Sequence, residues 1–203
     1  MENKPTYIAI VGGIAVGKTT ILNALKTSFK DSLLIEENVN NNIFLNDFYT
    51  DMKKWAFHSR ISTLSMISNN YLQVLTDSPP RIVLLDRCID ELITFATLHY
   101  DRGNLSDKEF QVYKELYNSL LHFAPKIDLF INVYCNVETS INRIRKRNRD
   151  FEQNISKDYI STLNLYYKNW LSTIDKNKII NVCTDEGFTL DDIISKISQQ
   201  ADL

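Results

Sequence analysis

Glycine is scarce in this chain, five in 203 residues, and proline scarcer still, with four. No Pro/Gly/Ser-rich stretch reads as a linker and no segment repeats, so residues 1–203 are expected to form one domain. There are only three cysteines, Cys88, Cys135 and Cys183. Widely separated, odd in number and never spaced C-x-x-C, they argue for free thiols in a reducing compartment and against a zinc site. The three histidines, His58, His99 and His122, share no metal-ligand spacing either. No apolar run approaches the ~20 residues that a membrane-spanning helix needs. The opening Met1-Glu2-Asn3-Lys4-Pro5 lacks the basic-then-apolar form of a secretory signal. An excess of one charge is also missing: the net charge of −2 gives no basic field for nucleic acid. The expectation is a soluble, cytoplasmic protein with neither membrane nor nucleic acid as partner.

What glycine there is clusters. Three of the five fall within six residues, in Gly12-Gly13-Ile14-Ala15-Val16-Gly17-Lys18-Thr19. This is the G-x-x-x-x-G-K-[ST] pattern, and it follows the apolar run Tyr7-Ile8-Ala9-Ile10-Val11. A strand feeding a glycine loop feeding a helix gathers backbone N–H groups and a helix N-terminus around one point, which suits a polyphosphate. Gly12, Gly13, Ala15, Val16, Gly17, Lys18, Thr19 and Thr20 are expected around the phosphates of ATP. Lys18 reaches for the β/γ-phosphates, and the Thr19 hydroxyl sits on Mg²⁺.

Short β-branched runs alternate with longer helical patterns. Strands are expected at Tyr7–Val11, Leu33–Ile35, Arg81–Leu85, Leu129–Tyr134 and Lys178–Val182. Helices are expected over about 18–30, 51–77, 88–101, 106–123, 137–148, 156–174 and 189–200. The alternation implies parallel βαβ units: an α/β fold of three layers, α/β/α, around a central parallel sheet of about five strands. Pro79-Pro80 and Pro125 stop the helices that precede them. The asparagine-rich Asn38-Val39-Asn40-Asn41-Asn42 reads as a surface loop.

Ligands of such folds bind at the carboxyl ends of the strands. Glu36-Glu37 follow the second strand. Asp86 closes the third, in the position of a carboxylate that holds Mg²⁺ directly or through water. Neighbouring residues of a strand point opposite ways, so Arg87 is expected to reach past Asp86 to the acceptor or to a glutamate. A carboxylate near phosphates needs a task, and an alcohol acceptor supplies one: its proton is about as weakly acidic as that of water, near 15.7, and needs a positioned base. The fourth strand leads to a helix carrying Arg143, Arg145, Arg147 and Arg149, which read as a lid that closes arginines onto the transferring group.

Together, Asp86-Arg87-Cys88, the run Arg145-Lys146-Arg147-Asn148-Arg149-Asp150-Phe151-Glu152, and Tyr49-Thr50-Asp51-Met52-Lys53-Lys54-Trp55-Ala56-Phe57 resemble the deoxynucleoside kinase family. The resemblance runs from about residue 6 to about 188. It implies a P-loop kinase fold of thymidylate-kinase-like architecture with an arginine lid, and transfer of the ATP γ-phosphate to a deoxynucleoside 5′-hydroxyl with Mg²⁺. It makes Glu37 the general base, in Glu37-Asn38-Val39 where the family has Glu-Pro-Val. Glu37, Arg87 and Lys18 become the catalytic set, and Thr19 and Asp86 the metal ligands. It assigns Tyr49 and Glu152 to the sugar 3′-hydroxyl, Arg149 to the 5′-end, and Arg145 and Arg147 to the phosphates. Asp185, Glu186 and Phe188 fall beside the adenine, while Val39, Trp55 and Phe95 line the substrate side. Cys88 stands where the family has serine. Arg60 replaces a base-pairing glutamine five residues after Trp55. Because arginine only donates hydrogen bonds, Arg60 would favour an edge with two acceptors, such as guanine O6/N7. The family also pairs long helices like 51–77 and 106–123 into a homodimer.

Two other readings use the same loop. A monophosphate kinase of thymidylate-kinase type shares the Asp-Arg pair and the lid, but Glu37, Tyr49 and Glu152 suit a neutral sugar acceptor better. A nucleotide switch would carry an Asn-Lys-x-Asp motif, and neither Asn3-Lys4 nor Asn177-Lys178 supplies the aspartate.

Overall fold

The computed structural model describes residues 4–37, 41–76, 80–185 and 187–200. Five parallel strands form one sheet in the order β2-β3-β1-β4-β5: β1 (Thr6–Val11), β2 (Leu33–Ile35), β3 (Ile82–Asp86), β4 (Leu129–Tyr134) and β5 (Ile179–Cys183). This is the expected parallel α/β sheet, and the strand bounds differ from those read in the sequence by one residue at most. The period-2 alternation of a strand sorts β1 between two cores. Tyr7, Ala9 and Val11 face a cluster with α3 (Met52–Thr76), α4 (Leu92–Asp101) and α5 (Asp107–Phe123). Ile8 and Ile10 face the opposite cluster, with α1 (Lys18–Ser28) and α8 (Leu190–Gln200). Helices thus cover both faces, which is why the central strands read as unbroken apolar runs. A third cluster joins α6 (Val137–Arg147) and α7 (Lys157–Leu171) to Ile14 and Phe95, beside the glycine loop.

Two local differences bear on the site. A short helix α2 (Leu45–Thr50) was not expected. It is docked by Asn42, whose buried amide donates to Ser59 O and Thr63 Oγ1 of α3 while its oxygen accepts the Phe44 N–H. The second difference is at α4, which starts at Leu92 rather than 88. Arg87 takes a left-handed φ of 74° as the chain leaves β3, and Cys88–Glu91 form a turn before the helix begins. A non-glycine residue in that conformation carries about 1–2 kcal/mol of strain, and such strain persists where the surroundings over-determine it. Pro79 lies outside the described residues. All three cysteines are free, and no helix among the described residues is long and apolar enough to cross a membrane.

Candidate active site

The glycine loop joins β1 to α1 at the carboxyl edge of the sheet. Gly12, Ala15 and Gly17 have φ values of 140°, 57° and 103°, the positive-φ backbone of a tight loop that glycine adopts most readily. Lys18 lies back along it and donates to Gly12 O at 2.9 Å and Gly13 O at 2.7 Å. Burial, with Arg87 adding to it, lowers the Lys18 ammonium to about 8, against the pull of Glu91, Asp86 and Glu37. An anionic ligand beside it would raise it again.

The loop, Lys18, Thr19 and Thr20 line one cavity of about 330 Å³ together with Glu37, Tyr49, Arg60, Asp86, Arg87, Phe95, Arg143, Arg147, Arg149 and Glu152. Of the two adjacent glutamates, Glu36 is exposed, whereas Glu37 turns in. Glu37 Oε2 accepts from Arg87 Nε at 2.6 Å. The Arg87 guanidinium also donates to Tyr167 Oη at 3.0 Å and lies over the Phe95 ring, 5.4 Å from its centroid. Burial opposes its charge, but Glu37, Tyr167 and Glu91 outweigh this and raise its pKa. Asp86 is pushed up by burial and held back by Lys18. Its Oδ1 is buried and has no hydrogen-bond partner. An orphaned hard oxygen donor on the cavity that Thr19 also lines is what Mg²⁺ would take up, and such an ion needs only one or two protein ligands when phosphates and waters complete its shell. No trio of His, Cys, Asp or Glu side chains among the described residues forms a metal cluster.

At the other end, Glu152 is buried and ion-pairs with both Arg147 and Arg149, the latter at 3.5 Å. Tyr49 stacks on Phe151, and burial raises its phenol well above the usual range, with Tyr159 and Glu152 adding to the effect. Arg60 is buried at 7% exposure. Its Cζ lies 5.1 Å from the ring centroids of both Phe48 and Phe95. It donates to Ser59 Oγ, its Nε has no partner, and no carboxylate among the described residues pairs with it.

Not every expected residue gathers here. Arg145 is exposed and does not line the cavity. Arg143 takes the place against the loop, donating to Val16 O at 3.0 Å, Thr184 Oγ1 at 2.8 Å and Thr184 O at 2.8 Å. Helical spacing could have shown this, since 143 and 147 are four apart and share a face, whereas 145 is turned away. Trp55 stacks on Phe44 away from the cavity lining. Asp185 accepts the Asn136 N–H at 2.9 Å, and Phe188 packs on the core of α1 and α8. Gly12 and Gly13 line a second cavity behind the loop. Val39 and Glu186 lie outside the described residues. The sequence reading missed Glu91 and Tyr167, both buried against Arg87.

A sequence model described as deoxynucleoside kinase matches residues 8–200. Over 171 residues the chain is 34% identical to a deoxyadenosine kinase of Dictyostelium discoideum, covering 84% of this chain and 69% of that protein. It is 27% identical to a deoxyadenosine/deoxycytidine kinase of Bacillus subtilis, covering 93% and 87% of the two chains. It is also 27% identical to a deoxyguanosine kinase of the same organism, covering 96% and 92%. Among solved structures, deoxyadenosine kinase of M. mycoides with bound dCTP superposes with a TM-score of 0.81 at 25% identity, over 97% of this chain and 99% of that one. With the family's sequence model spanning nearly the whole chain and the loop, carboxylates and arginines of a phosphoryl-transfer site in one cavity, the chain belongs to the deoxynucleoside kinase family and is an ATP-dependent deoxynucleoside kinase.

Proposed function

We propose that Glu37 accepts the 5′-hydroxyl proton of the deoxynucleoside while Lys18, Arg147 and Arg149 surround the transferring phosphoryl group. The 2.6 Å contact from Arg87 Nε to Glu37 Oε2 carries this reading. It fixes a carboxylate within the cavity that also holds Lys18 and Thr19, where its charge would otherwise repel the donor. Thr19 and Asp86 would hold Mg²⁺, which when bound neutralises charge on the phosphates. Tyr49 and Glu152 would take the sugar 3′-hydroxyl. Arg143, rather than Arg145, is the better candidate for the nucleotide side. The free thiols support a reducing, cytoplasmic setting.

Relatives bear the names of three different bases, so the base preference is argued from this chain's own residues. A buried charge without a partner costs on the order of several kcal/mol. Arg60 is such a charge, sandwiched between two rings, and it donates without accepting. A guanine edge, with acceptors at O6 and N7, satisfies it best. Arg60→Gln is therefore expected to lower kcat/KM for deoxyguanosine about tenfold or more and to move preference toward deoxyadenosine, because an amide matches adenine N6/N7. Initial rates with the four deoxynucleosides, ATP and Mg²⁺ check this. Equal turnover of all four by the unaltered enzyme sinks the base assignment. A deoxynucleoside monophosphate phosphorylated faster than any nucleoside sinks the alcohol-acceptor mechanism.

A homodimer paired through α3 and α5 completes the proposal. Leu72, Val112 and Phe123 are exposed on this face, at 58%, 51% and 75%. Leu72 and Phe123 flank an apolar groove that also includes Ile61, Leu116 and Leu120. Exposed apolar side chains gathered in this way are the kind of surface that a partner copy covers. Phe123→Asp is expected to shift the sedimenting species from dimer to monomer; an unaltered enzyme that sediments as a monomer refutes the dimer.

A further inference from the structure

Glu91 is wholly buried in the turn between Arg87 and α4. Its carboxylate collects donors from three parts of the fold. Oε2 accepts the Gly12 N–H at 3.3 Å and the Tyr167 hydroxyl at 2.6 Å. Oε1 accepts from Arg87 Nη1 at 3.4 Å. The Tyr167 oxygen in turn accepts from the same Arg87 nitrogen at 3.0 Å, closing a ring of contacts. Gly12 opens the phosphate loop after β1, Arg87 leaves β3, and Tyr167 belongs to α7. A carboxylate facing only donors is suited to its ionised, acceptor-only form. Burial pushes the Glu91 pKa up, and Arg87 and Lys18 pull it back.

A guanidinium held only through Nε can swing about that bond. Arg87 is held on both sides, by Glu37 at Nε and by Glu91 with Tyr167 at Nη1. We infer that Glu91 is a positioning residue: it ties the first glycine of the phosphate loop and the arginine that orients Glu37 to one buried carboxylate, and so fixes the separation of the donor and acceptor halves before either substrate arrives. Phosphoryl transfer depends almost wholly on such positioning, and a misplacement of about 1 Å costs on the order of a hundredfold. Glu91 does not itself line the cavity, and it meets none of the reacting atoms; it acts through Arg87 and Gly12.

The inference rests on Glu37 as the proton acceptor, and the two fail separately. If Glu37→Gln lowers kcat about a hundredfold or more while Glu91→Gln leaves it within about twofold, the brace alone is wrong. Glu91→Gln keeps the side chain's size but turns an NH₂ toward donors in either orientation. It is expected to lower kcat about thirtyfold or more, with the KM values for ATP and deoxynucleoside within about threefold of the original and the thermal midpoint little changed. The double variant Glu91→Gln/Arg87→Lys is expected to be no slower than Arg87→Lys alone, because both substitutions break one linkage. Losses that multiply in the double variant, a loss confined to KM, or a kcat within twofold of the original each overturn the inference. If Glu91→Gln fails to fold, Tyr167→Phe removes only the hydroxyl. A kcat lowered about fivefold at unchanged KM supports the brace, and an unchanged kcat overturns it.

Discussion

Glu37→Gln is expected to lower kcat by about 10²–10⁴-fold, the usual contribution of a general base, with KM for ATP nearly unchanged. Glutamine has the size of glutamate and its carbonyl oxygen can still accept from Arg87 Nε, so the 2.6 Å contact and the position of Arg87 survive the change. What is lost is a proton acceptor and a charge. The acceptor matters because the 5′-hydroxyl stays protonated at neutral pH and its nucleophilicity must be raised as the bond to phosphorus forms. Losing the charge should, if anything, favour binding of an anionic donor. The variant therefore separates chemistry from binding: single-turnover phosphorylation at saturating ATP and deoxynucleoside falls, while nucleotide titration does not. Near-full activity would mean that the proton leaves by another route, such as to the phosphoryl oxygens themselves, and that Glu37 only orients Arg87.

The second large effect is expected at Gly12, and its origin is steric. A Cβ built there lies 2.2 Å from the Val133 carbonyl oxygen, on the backbone of β4, at a φ of 140°. Strand backbone in the middle of a sheet has no flexible end to give way. Gly12→Ala is expected to cost on the order of 3–5 kcal/mol, strain and overlap together, and to abolish nucleotide binding, because relieving the clash moves the loop. Gly103 is the control. Its φ is 70°, but nothing lies within 4 Å of its added Cβ, so Gly103→Ala should cost only about 1–2 kcal/mol of backbone strain. Denaturant melts of the two variants check the comparison; equal midpoints would show that the sheet can absorb the overlap.

The glycine loop and the sheet are where the sequence was plainest. The loop was legible because G-x-x-x-x-G-K-[ST] sits between an apolar strand and a helix. The sheet was legible because strands buried on both faces are written as unbroken apolar runs. The remainder failed for identifiable reasons. Helix α2 spans only six residues after an asparagine-rich stretch, too short for a 3.6-residue period to emerge, and its anchor is a buried asparagine that composition alone assigns to the surface. Arg145, which the family pattern assigns to the phosphates, lies exposed because positions two apart on a helix fall on nearly opposite faces, and Arg143 faces the loop instead. Glu91 was invisible because an acidic residue at the start of a helix ordinarily serves the helix dipole. Only the turn created by Arg87's left-handed backbone aims its carboxylate back at the loop.

The charges around the cavity have one more consequence. Six cationic side chains line it against three carboxylates, in a chain whose overall charge is −2. The mouth is thus a local inversion of the molecule's sign, and low-dielectric walls focus its field outward. A polyphosphate diffusing past is drawn to this opening over a reach of about 8 Å at physiological salt. The uncharged nucleoside feels no such guidance and finds the same opening by random encounter. Ionic strength therefore governs the capture of one substrate and not of the other, so the balance between them is set by the surrounding medium as well as by the protein.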